Sequence, residues 1–158
     1  MKQLSEEQAL SRLATTCSRS EHCISQVREK MYTWGLPPEM QDRIIDYLTT
    51  HQYIDEARYT RIFIEDKVQF NGWGPRKVAQ ALYAKHIDKE VFQPLLDEID
   101  PQMFIEQLRP LLRQKQRSLT ADNHFQRHAK LVRFALSRGY DMDTIRACIG
   151  ETEEEYDD

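Results

Sequence analysis

Residues Val27–Leu48 lie over Val78–Ile99 at a constant offset of 51, without a gap. Val27 meets Val78, Met31 meets Leu82, Leu36 meets Ile87, Ile44 meets Leu95, Ile45 meets Leu96 and Leu48 meets Ile99. A third copy follows at an offset of 53 from the second, where Leu131 meets Val78, Ala135 meets Leu82, Arg138 meets Lys85, Tyr140 meets Ile87 and Ile149 meets Leu96. Apolar positions fall on apolar positions throughout. A repeat of about 50 residues means one supersecondary unit used several times, each burying its faces partly against its neighbours. Each copy reads as helix, turn, helix, preceded by one further helix. The fold class this implies is all-α: three tandem three-helix repeats in an elongated, curved array. The repeats divide at 1–53, 54–100 and 101–150, with 151–158 as an acidic, disordered tail.

Local helix signals agree with nine helices. Ser5-Glu6-Glu7-Gln8 is a capping box before a stripe of Leu10, Leu13, Ala14 and Cys17. Ser20 is the expected cap of a second helix that stops at Gly35, and Pro37-Pro38 opens a third with Ile44, Ile45 and Leu48 inward. Asp55 caps a fourth, with Ile62, Phe63 and Phe70 expected inward. Asn71-Gly72-Trp73-Gly74 is a turn, and Pro75 begins the next helix. Asp88 caps another, and Asp100-Pro101 opens a long one reaching Ser118. After a polar stretch to Asn123, a helix runs to Gly139 and Asp141 caps the last. Pro94 and Pro110 fall inside helical segments, where each removes an amide and crowds the preceding turn, so a kink or a shifted boundary is expected at each.

Charge separates the third repeat from the rest. The chain carries a net −4, but residues 105–147 carry +5 and Glu151–Asp158 carry −6. A basic module beside an acidic tail points to a polyanion or a charged protein partner. No run is long and apolar enough for a membrane helix, and the acidic, amphipathic N-terminus is not a signal peptide. Cys17, Cys23 and Cys148 form no pair of metal-ligand spacing, so reduced thiols in a cytoplasm are expected. His124 and His128 stand at i, i+4, but Arg127 and Lys130 beside them repel a cation. No nucleotide-binding loop, zinc-hydrolase pattern or nucleophile elbow occurs. No enzyme activity, metal or cofactor is expected.

Three segments are equipped to bind a partner. In Gly72-Trp73-Gly74-Pro75-Arg76-Lys77 a helix start offers backbone amides beside two bases, an arrangement that receives anions. Trp73 could equally plug a seam between helices, with Arg76 and Lys77 facing solvent in either case. Arg58 and Tyr59 follow the cap at Asp55, as an ion pair of the repeat interface or as partner contacts. Arg109, Arg113 and Arg117 share one stripe with Lys115 nearby, and Arg127, Lys130 and Arg133 step by three on the next helix toward Arg138. Lys85 holds the position in repeat two that Arg138 holds in repeat three.

Together these residues resemble the RecX family of recombinase regulators. Cys17-Ser18-Arg19-Ser20-Glu21 is one element of the likeness. Tyr53-Ile54-Asp55-Glu56-Ala57-Arg58-Tyr59 is similar to the family's G-x-[IL]-D-D-x-R-[FY] signature. Gly72-Trp73-Gly74-Pro75-Arg76-Lys77-Val78 is similar to G-x-G-P-x-[KR]-[IL], and Phe134–Tyr140 to the final [FL]-x-x-[KR]-G-[FY]. The likeness covers about residues 10–149. Gln52 and His86 stand where the family commonly has glycine, and Glu56 replaces an aspartate. The resemblance implies a monomeric cytoplasmic protein that binds the RecA–DNA filament and inhibits RecA's ATPase and strand exchange. Direct DNA binding through a helix-turn-helix, and a helical scaffold for another partner, are the competing readings.

Overall fold

The computed structural model describes residues 3–157, with side chains described to residue 150. Among the described residues the chain forms nine α-helices and no strand. In order they are α1 Glu6–Arg19, α2 Ile24–Thr33, α3 Pro38–Thr50, α4 Glu56–Gln69, α5 Pro75–Ala84, α6 Lys89–Asp97, α7 Pro101–Ser118, α8 His124–Ser137 and α9 Met142–Asp157. Three helices per repeat, three times over, is the tandem arrangement that the offsets imply. Among the described residues no helix is long and apolar enough to cross a membrane.

The repeat is visible in one backbone device. The middle helices α2, α5 and α8 each end on a left-handed residue: Gly35 at φ +72°, His86 at +61° and Gly139 at +93°. The next amide then reaches back over the last turn. Leu36 donates to Met31, Ile87 to Leu82 and Tyr140 to Ala135, at 3.1, 3.1 and 3.2 Å. These bonds satisfy helix-end carbonyls and turn the chain toward the third helix of each repeat. The residue making each bond is buried, so the cap also seats an apolar anchor.

By compactness the chain forms two units, Met1–Ile62 with Leu82–Phe92, and Phe63–Ala81 with Gln93–Asp158. Helices α4, α5 and α6 each pass from one unit to the other, so these units do not coincide with the repeats. A single three-helix repeat is too small to bury all its apolar faces alone. In the first unit, α3 packs on α1 and α2. Its core holds Leu13, Cys17, Val27, Met31, Ile44, Ile45, Leu48 and Ile54. Full burial of each large aliphatic side chain contributes about 1.5–3 kcal/mol. In the second unit, α7 packs along α9 and α8. Phe104, Leu108, Leu112, Leu131, Ala135, Tyr140 and Ile145 are buried there.

Several local expectations need correction. Ser20 does not start α2. It ends α1, its amide donating to the Thr16 carbonyl at 3.4 Å, and α2 begins only after Cys23. Gln26 then supplies the capping contact, its Oε1 accepting from the Cys23 amide at 3.1 Å. On α4, Ile62 is 49% exposed and Phe70 80% exposed. The buried face is instead Tyr59, Thr60, Ile64 and Val68, with Phe63 at its border. Pro94 and Pro110 mark no boundary, since α6 and α7 run through them. Both prolines are exposed, so the carbonyl each one orphans is left on the water side. Helix α9 continues through Glu151–Asp157, where no proline interrupts an already nucleated helix. The tail's side chains and Asp158 lie outside the described residues.

Candidate partner-binding surface

The turn after α4 and the turn after α8 form one joint. The amide of Gly74 donates to the Arg138 carbonyl at 2.7 Å, and that of Arg76 to the Gly139 carbonyl at 2.9 Å. The carbonyl end of α8 thus caps the amide end of α5, a favourable alignment of helix dipoles. The backbones are in contact. A Cβ on Gly74 would lie 2.4 Å from the Gly139 carbonyl carbon, and one on Gly139 would lie 2.4 Å from Lys77 Cβ. Arg138 then reaches back, its Nη1 donating to the Asn71 carbonyl at 3.0 Å, and the buried Tyr140 hydroxyl donates to the Gly72 carbonyl at 2.9 Å. Burial pushes the Tyr140 hydroxyl up to about 12, opposed in part by Arg138. The amides expected to receive an anion at Pro75 are therefore engaged inside the protein.

Trp73 belongs to the same joint. It is half-buried, meets the Phe63 ring edge-on at 6.5 Å and lies under two ammonium groups, Lys67 at 5.2 Å and Lys77 at 4.6 Å. Such cation–π contacts hold the lysines down. Lys77 is thus turned onto Trp73 and does not stand in solvent as expected. Arg76 does: it is exposed over an open cleft of about 350 Å³ whose lining includes Leu96, Ile99, Phe104, Asp97 and Asp141.

Arg58 is half-buried and paired within its own unit, and Tyr59 faces inward. Arg58 Nε donates to Glu21 Oε1 at 2.5 Å and its Nη2 to the Gln52 carbonyl at 3.1 Å. This pair raises the already high pKa of the guanidinium, first through the Glu21 hydrogen bond. Tyr59 is core, its hydroxyl pushed up to about 12 chiefly by burial. Lys85 in the first unit is half-buried.

The two basic stripes are not as regular as their spacing implied. Arg127 is buried among Leu131 and Ala135 on the inner face of α8 and donates to His124 Nδ1 at 3.4 Å. That bond occupies one ring nitrogen of His124. Among the described residues no group of three His, Cys, Asp or Glu could hold a metal ion. Lys115 and Arg138 sit over the Phe134 ring, each 5.4 Å from its centre, and Arg109 is half-buried. Arg113, Arg117, Lys130 and Arg133 remain exposed, with the Lys130 ammonium donating to the Thr120 carbonyl at 2.5 Å. Of the bases expected to meet a partner, the exposed ones are therefore Arg76 and these four.

What spacing did not single out is a set of exposed apolar side chains, Tyr32, Tyr83, Phe125 and Leu136 among them. The signal was available: Tyr32, Tyr83 and Leu136 are separated by the repeat offsets of 51 and 53.

Comparison with known proteins locates the same architecture. Residues 55–93 match the RecX second three-helix domain, and residues 102–149 the RecX third three-helix domain. The Regulatory protein RecX of Pseudomonas fluorescens is 32% identical over 130 residues, covering 81% of this chain and 81% of that protein. That of Vibrio parahaemolyticus is 26% identical over 138 residues, covering 87% of each. That of Clostridium botulinum strain Eklund 17B is 30% identical over 138 residues, and the match spans 86% of this chain but only 64% of the relative's length. Two crystal structures share the fold. One of a regulatory protein RecX superposes with a TM-score of 0.86 at 19% identity, covering 92% of this chain and 73% of the other. RecX from Lactobacillus salivarius superposes at 0.84 and 17% identity, covering 94% and 96%. With the signature turns of repeats two and three meeting in one backbone joint, and relatives of that name matching over most of its length, the chain belongs to the RecX family of regulatory proteins.

Proposed function

We propose that this protein is a negative regulator of the RecA recombinase, binding the RecA–DNA filament in the cytoplasm and inhibiting its ATPase and strand exchange. The observation that carries the reading is the fate of the family signatures. Gly72–Val78 and Phe134–Tyr140 are used up in an internal joint that assembles helical repeats, while Arg76, Arg113, Arg117, Lys130 and Arg133 stand outward. That arrangement supports action through surface contact, without chemistry of its own. Inhibition then requires only that the protein bind one state of the filament more tightly than another. At stoichiometric protein, DNA-dependent ATP hydrolysis by the cognate recombinase slows. Unchanged hydrolysis and unchanged strand exchange would sink the reading. The exposed bases of α7 and α8 favour direct DNA binding as the second reading. Tight, steeply salt-dependent binding to naked DNA without recombinase would establish it instead.

A further inference from the structure

Helix α8 carries two apolar stripes, and only one of them is used. Leu131 and Ala135, with Arg127, face the core. Phe125, Ala129, Val132 and Leu136 follow at i, i+4, i+7 and i+11. At 3.6 residues per turn these four fall within about 60° of each other, on the side away from the core stripe. Phe125 is 81% exposed and Leu136 39% exposed, with Ala129 and Val132 half-buried between them. This is the spacing by which one helix seats against another. Exposed Arg133 borders the stripe, with exposed Lys130 further round on the same flank, on the repeat whose net charge is +5.

The repeat adds a second observation. Tyr32 and Tyr83 stand at the register of Leu136 in the first two repeats, and they are 81% and 75% exposed. Apolar residues scattered singly on a surface are ordinary, but a large apolar side chain held outward at one register of all three middle helices is not scattered. Exposure there is a property of the repeat.

We propose that the outer face of α8 docks an acidic amphipathic helix of the recombinase. Its apolar ridge lies along Phe125–Leu136 and its carboxylates meet Lys130 and Arg133. This deepens the recombinase reading and rests on it. Charge selects the class of partner. A basic helix is repelled, and a nucleic acid would set its phosphates against four apolar side chains instead of seating them.

The test uses the full chain and the cognate recombinase assembled on single-stranded DNA. Phe125→Ser with Leu136→Ser weakens filament binding about tenfold or more, as loss of central apolar anchors does. Its unfolding midpoint falls only slightly, because Phe125 is 81% exposed and Leu136 39% exposed. Lys130→Glu with Arg133→Glu weakens binding and flattens its salt dependence. A photoreactive benzoyl-phenylalanine in place of Phe125 cross-links to an acidic helical segment of the recombinase. Binding by the serine variant within about twofold of the wild type overturns the proposal. So does a cross-link to DNA or to a basic segment. In both cases wild-type inhibition persists, so the recombinase reading stands. If the wild type neither binds nor inhibits the filament, that reading fails and the docking proposal fails with it.

Discussion

The Gly74 amide and the Arg138 carbonyl, 64 residues apart in the chain, are joined by a 2.7 Å hydrogen bond. The approach is possible only because Gly74 and Gly139 both lack a Cβ. A methyl group at Gly74 would meet the Gly139 carbonyl carbon at 2.4 Å, and one at Gly139 would meet Lys77 Cβ while straining a residue at φ +93°. Backbone cannot step aside as a flexible side chain can. Gly74→Ala and Gly139→Ala should each lower unfolding stability by about 3 kcal/mol or more. Gly150→Ala, where nothing lies within 4 Å of an added Cβ, is the control and gains up to about 1 kcal/mol of helix propensity. Urea titration of the three variants decides this.

Gln52 and His86 occupy the left-handed region at φ +61° each, although neither is glycine. A side chain there costs roughly 1–2 kcal/mol, partly offset by the extra entropy glycine carries in the unfolded chain. Gln52→Gly and His86→Gly should therefore each stabilise the protein by about 0.5–1 kcal/mol. A pair of thermal melts is sufficient to check it. Unchanged or lowered melting points would mean that the side chains repay the strain through contacts of their own.

Tyr140 gives the stability an alkaline limit. Its hydroxyl is raised from the ordinary value near 10 to about 12 by burial, and it donates to the Gly72 carbonyl. The folded chain holds this proton more tightly than the unfolded chain does. The stabilisation is thus complete below pH 10 and is lost as the pH rises through about 12. Tyr140→Phe should cost about 1 kcal/mol at neutral pH through the lost hydrogen bond, yet reduce the fall in stability above pH 10. Tyr59, raised to about 12 as well, leaves part of that fall in place. Denaturant midpoints from pH 7 to 11 separate the two effects.

The Arg58–Glu21 pair ties the start of α4 to the segment between α1 and α2. Both side chains keep some solvent contact, 38% and 25%, so their coupling is modest. A double-mutant cycle with Arg58→Ala and Glu21→Ala should return about 0.5–1 kcal/mol. Filament binding should be unaffected, since Arg58 is held by Glu21 and the Gln52 carbonyl. A large binding defect at unchanged stability would return Arg58 to the partner surface.

Arg113→Glu with Arg117→Glu changes only exposed positions of α7. Inhibition of the cognate recombinase should weaken about three- to tenfold, most at low salt, with the melting temperature within a degree or two. Full inhibition by this variant would show that the α7 stripe is a solvated face and nothing more.

Helix ends were legible in the sequence because capping is local chemistry. The Ser5–Gln8 box, Gly35, the aspartates at 55, 88 and 100 and Asn123 act within one turn of themselves. The repeat was legible for a related reason: equal registers bury equal positions, so the apolar pattern recurs with the offset. Orientation was harder. Helix α4 offers Ile62 and Phe70 as readily as Ile64 and Val68, and only the helices packed around it select the inner face. Charge misled in the same way. Arg127, Lys115 and Arg138 look like members of a solvent stripe, and each is drawn onto a neighbour's ring or into the core.

The sequence by itself determined an all-helical chain of three related units, the position of nearly every helix and the two glycine-bearing turns that carry its family likeness. Those follow from interactions spanning a few residues, or from a pattern repeated in register. Only the tertiary structure decided that the two turns are one joint, with Gly74 against Gly139, and which of the candidate bases stay exposed. Contact between residues 65 positions apart leaves no local trace in composition or spacing, because it is set by where whole helices come to rest.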